Sequence, residues 1–272
     1  GGLTKSGNGT LSLEADGSGC SGMLSVNGGT LRFKDLPAAS VHGLAGGTVG
    51  AGTSTTPGTG NVAALDLNSS NAAFRLSPAA SDKIVVLDPD GFTVSAASTI
   101  TGSILVPPAV NDVFPAVDYD GVIGGLGFAG LSLQMSNPHY EASLIDNAVD
   151  TTVDIRITAV KPVVWKGSVS NVWDTDTTTN WEIEGSGTPS KCYDFDVVKF
   201  TNAGSAVPNV TLGGTIKPGS VEFNSTAHYT LSGSPITGTA SLLQSGTGTT
   251  TLANDNTSTG QATISAGTLE IG

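Results

Sequence analysis

The residues best equipped for chemistry are few and widely spaced. Asp174 and Asp176, followed by Asp194 and Asp196, could gather carboxylates on one side of a coil and hold calcium, or they could form a solvated acidic face. Asp88-Pro89-Asp90-Gly91 resembles the opening of a calcium loop, but the later ligands are missing, so a tight turn is expected. His42, His139 and His228 stand alone, without metal-ligand spacing and without a serine elbow to pair with. Gly17-Ser18-Gly19-Cys20-Ser21-Gly22 has the glycine spacing of a dinucleotide fingerprint, yet no helix pattern follows it, and a turn is the expectation. No catalytic residue, metal ligand or cofactor-binding residue is assigned, and no cofactor is expected.

Trp173, Trp181 and Tyr193, near Trp165, could build a platform that stacks on sugars, which makes them the candidate glycan contacts. The competing expectation puts Trp165 in the core, on an alternating strand, with Trp173 and Trp181 covering a polar insertion. Cys20 and Cys192 are the only cysteines. They are the candidate disulfide; two unlinked thiols, or a bridge between subunits, are the alternatives. Asn8, Asn68, Asn209, Asn224 and Asn256 each open an Asn-x-Ser/Thr acceptor, a pattern that a Ser- and Thr-rich chain also produces by composition.

The elements that must position these groups are strands. Helical periodicity is nearly absent, whereas Leu24–Val26, Ile84–Val86, Val153–Ile157, Val163–Trp165, Val197–Phe200 and Val221–Phe223 mostly alternate and are broken every few residues by Gly, Asn, Asp or Pro. The composition agrees. In 272 residues, 38% are hydrophobic but only 12% charged, and 37 are glycine; an average soluble domain carries about twice that charged fraction. A net charge of −12 with 11 Lys and Arg, none in a basic run, argues against nucleic acid and acidic membranes as partners. The most apolar stretch, Gly121 to Leu133, is too short and glycine-rich for a membrane helix. No initiator Met and no leader are visible, so a processed or excised piece is expected.

One pattern occurs twice. Ser6-Gly7-Asn8-Gly9-Thr10-Leu11 closing at Gly29-Thr30-Leu31 reappears as Ser245-Gly246-Thr247-Gly248-Thr249-Thr250 closing at Gly267-Thr268-Leu269, with offsets of 246 − 7 = 239 and 267 − 29 = 238. Internal repeats of this length point to stacked strand units. The expected fold class is all-β, a right-handed parallel β-helix (a β-solenoid) with irregular side loops. At roughly 20 to 25 residues per coil the chain makes about a dozen coils and a rod of roughly 55 Å. One continuous solenoid over 1–272 is expected: a first repeat copy at 1–33, irregular coils at 34–160, Trp-containing spacer coils at 161–244 and a second copy at 245–272. Lys34 to Thr59, Pro107 to Asp120 and Thr175 to Ser190 are the stretches expected to bulge or loop out.

These motifs carry a resemblance. Gly2-Leu3-Thr4-Lys5-Ser6-Gly7-Asn8-Gly9-Thr10-Leu11-Ser12-Leu13 leading to Val26-Asn27-Gly28-Gly29-Thr30-Leu31, with the second copy, resembles the autotransporter-associated β-strand repeat, or passenger-associated transport repeat, of bacterial surface and secreted proteins. The stretches around Asp82–Val86, Phe128–Leu133, Val163–Gly167, Trp173, Asn180-Trp181 and Tyr193–Phe200 look like the spacer between such repeats. Thr250 and Thr251 depart from the pattern, which tends to have an aliphatic and a small residue there. The resemblance implies a right-handed parallel β-helix, export, a structural or adhesive role, and no catalytic residue.

The expected function is a non-enzymatic extracellular structural protein, a segment of a bacterial surface rod or fibre. Uncapped strand-like ends suit head-to-tail addition of identical chains, or a longer repeat array. An adhesin binding glycans or a host surface through the Trp173–Tyr193 loops is the first alternative. A polysaccharide-active β-helix enzyme, with several carboxylates and a Lys or Arg on one lateral groove, is the second.

Overall fold

Alternation along the strands translates directly into stacked columns. The computed structural model describes residues 2–272, and it is an all-β protein: among the described residues there is no α-helix, only the short 3-10 turns Phe128–Gly130 and Asn202–Gly204. The chain forms two compact units, Gly1–Ala159 and Val160–Gly272.

The first unit contains three parallel ladders. One pairs Leu3–Lys5, Met23–Val26, the end of Gly29–Gly43, Thr59–Asn68, Phe92–Ala96 and Gly124–Gly125. A second pairs Thr10–Asp16, the start of Gly29–Gly43, Gly47–Ala51, Asn71–Leu76, Ser98–Ile104 and Leu131–Met135. The third runs through Asp35, Asn61, Val85 and Asp118. The 15-residue strand Gly29–Gly43 therefore serves all three ladders in turn.

In-register pairing places like side chains over like. Leu24, Val41, Leu65 and Phe92 make one inward column, and Leu31, Val49, Ala72 and Ile100 make another; all eight are buried. Each column removes several apolar side chains from water, at about 1.5–3 kcal/mol for each full burial. Successive members of the first column are 41 − 24 = 17, 65 − 41 = 24 and 92 − 65 = 27 residues apart, because the strands keep their length while the corners absorb insertions.

Lys34 to Thr59, expected to bulge, mostly continues these ladders, and what leaves them are the turn 44–46 and the loop 52–58. That loop is tied down by a buried charge cluster. Asp82, 1% exposed, accepts hydrogen bonds from Arg75 Nε at 2.8 Å, Arg32 Nη1 at 3.0 Å and the Gly58 amide at 3.0 Å, while Arg75 Nη2 donates to Thr56 O at 2.7 Å. Two guanidinium groups around one buried carboxylate leave no oxygen of Asp82 unpartnered, the condition under which buried charge is tolerated. Pairing is not uniformly parallel: Thr152–Val160 runs antiparallel on Val113–Asp120, and Tyr140–Asn147 continues that sheet.

The second unit has two long parallel ladders. The first stacks Val163–Trp165, Val197–Thr201, Ser220–Asn224, Ser241–Gln244 and Ala262–Ile264; the second stacks Val172–Trp173, Asn209–Leu212, Tyr229–Gly233, Thr249–Leu252 and Thr268–Ile271. Paired residues are 220 − 197 = 23, 241 − 220 = 21 and 262 − 242 = 20 apart in the first ladder, close to the expected coil length. Here too the sheet is mixed, since Trp181–Ile183 pairs antiparallel with Val163–Trp165 and with Pro189–Ser190.

Candidate functional site

The two copies of the repeat build the same local geometry from strands at opposite ends of the chain. In the first copy Thr10, Leu11, Ser12 and Leu13 pair in parallel with Thr30, Leu31, Arg32 and Phe33; in the second, Thr249, Thr250, Thr251 and Leu252 pair with Thr268, Leu269, Glu270 and Ile271. The glycine before the second strand is left-handed in both, with φ of 63° at Gly29 and 64° at Gly267. A Cβ on Gly29 would stand 2.3 Å from both Gly7 O and Gly9 O, and one on Gly267 would stand 2.3 Å from Gly246 O and 2.4 Å from Gly248 O. Both conformation and space therefore demand glycine, because the turn of one coil sits directly on the carbonyls of the previous turn.

A side-chain donor at the equivalent position of each copy reaches the first of those carbonyls, Gly7 O or Gly246 O. Lys5 Nζ donates to Ser6 O, Gly7 O and Gly28 O at 2.9, 2.7 and 3.0 Å. Gln244, offset from it by 244 − 5 = 239, donates from Nε2 to Gly246 O and Gly248 O at 2.9 and 3.1 Å and is fully buried. Its Oε1 in turn accepts from Thr250 Oγ1 at 2.8 Å. The departure of Thr250 from the aliphatic pattern thus has a cause: a buried glutamine needs an internal donor where Lys5 needs none, and Leu11 fills the corresponding place in the first copy.

Above Gln244, the same inward column carries Phe223, Phe200 and Trp165, and there the candidate glycan platform is found in the core. Trp173 and Trp181 are 0% and 1% exposed. Their ring centroids lie 5.2 Å apart in an edge-to-face arrangement, and Trp165 meets Trp181 edge-on at 5.1 Å. Phe200 packs against all three indoles and stacks on Phe223 at 5.0 Å. The indole faces are thus occupied by one another, and Tyr193 alone of the three candidates is only half-buried.

The polar insertion is organised by Asn180, which is completely buried. Its Oδ1 accepts from the Val169 and Ser170 amides at 2.9 Å, and its Nδ2 donates to Val172 O at 2.7 Å. That residue clamps the turn between Trp165 and Trp173, and only the Asn-Trp adjacency hinted at it in the sequence.

The remaining candidates are engaged in turns. Asp174 accepts from the Thr178 amide and hydroxyl at 2.8 and 2.6 Å, Asp176 lies 3.1 Å from Lys191, and buried Asp196 accepts from the Tyr193 amide at 2.7 Å. Burial, opposed by Lys217, holds the Asp194 carboxyl above its usual range. Among the described residues, no three His, Cys, Asp or Glu side chains come together as metal ligands. Asp90 takes a left-handed turn (φ 56°) and accepts from the Val122 amide at 2.8 Å, and the Cys20 amide closes a turn onto Gly17 O at 2.8 Å.

His42 Nε2 lies 2.7 Å from Asp66, His139 is buried, and His228 Nδ1 accepts from the Thr249 amide at 3.3 Å. Cys20 and Cys192 are both free thiols, so the candidate bridge is not formed; Cys192 is walled into the core and burial pushes its thiol well above the usual range. Carboxylates and lysines do meet on the outer face of the second unit's first ladder. There Lys199 Nζ reaches Glu184 at 2.8 Å and Glu222 at 3.9 Å, and Lys166 reaches Glu182 at 3.1 Å. Partly exposed pairs of this kind each contribute about 0–1 kcal/mol.

Stacked parallel strands joined by glycine turns that rest on one another make the two terminal regions a repeat unit. The family model of the passenger-associated-transport-repeat matches this chain at residues 3–33 and 242–271, the segments whose geometry coincides. No curated protein and no solved structure matches the chain. Among the described residues, no helix is long and apolar enough to cross a membrane.

Proposed function

We propose that this chain is a right-handed parallel β-helix serving as a non-enzymatic, structural segment of a bacterial surface or secreted passenger protein, extended by end-to-end addition of coils. The observation that carries the reading is the identity of the two repeat copies in register, glycine conformation and turn clamp. A module reproduced at positions 239 residues apart, whose turn glycines rest on the carbonyls of the preceding turn in both copies, is built for continuity along an axis.

The inward columns support the same role. Aliphatic and aromatic ladders with continuous backbone pairing give stability that grows coil by coil. The side-chain polar groups considered above for chemistry hold turns or form ion pairs across neighbouring strands. Identical chains that add head to tail make a heterologous contact, which propagates instead of closing.

Negative-stain electron microscopy of the purified protein over a concentration series tests this. Filaments that lengthen with concentration are expected. Separate particles at every concentration would contradict end-to-end addition.

A further inference from the structure

The antiparallel hairpin of the first unit contains a carboxylate whose environment is incomplete. Asp154 lies on Thr152–Val160, opposite Pro115, a residue with no amide hydrogen to offer. It is 4% exposed. Its Oδ2 accepts one hydrogen bond, from Asn147 Nδ2 at 3.3 Å, and its Oδ1 is buried with no hydrogen-bond partner. Two residues earlier, on the same side of the strand, buried Thr152 has an Oγ1 that is also unpartnered.

A second carboxylate stands beside the first. Asn147 Nδ2 also donates to Asp150 Oδ2 at 3.0 Å, so the Asp150 and Asp154 oxygens that share this donor lie no more than 3.0 + 3.3 = 6.3 Å apart. Neighbouring cations are directed elsewhere. Arg156 Nη2 bonds Asn111 at 2.6 Å, and Lys83 pairs with Asp118 at 2.9 Å.

A buried carboxylate with one long hydrogen bond is unfavourable unless a charge of opposite sign reaches it. The available donors are all hard oxygens, with no thiolate or imidazole among them, and a neutral amide now bridges the two carboxylates where a cation would sit. That donor set suits calcium better than zinc or copper. We propose that Asp154, Asp150 and the Thr152 hydroxyl form a calcium site that fastens the 148–151 loop to its hairpin. The site belongs to the first unit and is separate from the repeat stacking.

Calorimetric titration of the full chain with CaCl2, and melting curves in CaCl2 or EDTA, test the site. One calcium per chain is expected, with a Kd on the order of 0.1–1 mM, and a melting temperature raised by roughly 3–5 °C at saturating calcium. Asp154→Asn should abolish the heat of binding while leaving the melting temperature in EDTA no lower than that of the wild type, because it removes an unpaired buried charge. If that variant fails to fold, Asp150→Ala decides the question: residue 150 is exposed, and its loss should weaken binding at least tenfold. No calcium-dependent heat or melting shift up to about 10 mM, or binding unchanged in Asp150→Ala, would overturn the proposal.

Discussion

Position 5 in one copy of the repeat and position 244 in the other show how much depends on a single side chain. Each holds the carbonyls of the turn that follows it, Lys5 with a charge near the surface and Gln244 with a neutral amide inside. Gln244→Leu leaves Gly246 O and the Thr250 hydroxyl without partners and strips Gly248 O of its side-chain donor, leaving it the Thr268 amide alone; the expected loss in urea unfolding is about 2–3 kcal/mol. Adding Thr250→Leu to that change should recover part of the loss, since the pair is coupled; strictly additive effects would separate the two residues. Gly267→Ala meets both a positive φ and two carbonyls within 2.4 Å, so a loss of roughly 2–3 kcal/mol is expected, with Gly29→Ala behaving alike. A mutant as stable as the wild type would mean the turns do not rest on one another. The glycines were legible because the sequence repeats them. The clamp was not, because Lys and Gln share no class in a pattern of apolar and polar residues and are related only by position.

At the scale of elements, the aromatic core of the second unit is the best test of packing. Tyr229, 1% exposed, packs edge-on against Phe200 at 5.2 Å and donates its hydroxyl to Thr201 O at 2.6 Å. Burial pushes its phenol up to about 12. The unfolded chain therefore loses this proton near pH 10 while the folded chain keeps it until about 12. The contribution is fully present below pH 10 and is lost as pH rises through that window. Unfolding free energies measured from pH 9 to 12 should fall more steeply for the wild type than for Tyr229→Phe, whose neutral-pH stability is lower by about 1 kcal/mol. Equal slopes would place the phenol in solvent.

The alternation at Val163–Trp165 announced a buried Trp165. Trp173 and Trp181 instead lie beside the polar insertion, and their burial depends on Asn180 drawing that insertion inward. The apparent sugar platform was a core read without its lid. Likewise Arg32 stands 50 residues before Asp82, and only the ladder register brings it to the Arg75–Asp82 pair.

For the whole molecule, the all-β class, the turn-rich chain and the repeat at both ends were plain in composition and spacing. The antiparallel strands Trp181–Ile183 and Thr152–Val160 were not, since alternation is the same for either direction of pairing. Coil length followed the same division. The second unit keeps close to the expected spacing, whereas the first spreads from 17 to 27 residues in one column because insertions at its corners leave the inward pattern untouched.

The claim on which this account rests is that two segments 239 residues apart fold into the same pair of parallel coils. Four threonines report on it directly: Thr10 pairs with Thr30, and Thr249 with Thr268. Spin labels placed on each pair in turn, with Cys20 replaced by Ser and buried Cys192 left in place, give the two distances by electron paramagnetic resonance. Both pairs should show the same strong dipolar broadening, as expected for parallel neighbours about 4.8 Å apart at the backbone. Unbroadened spectra from either pair, or clearly different distances in the two copies, would contradict the shared coil geometry.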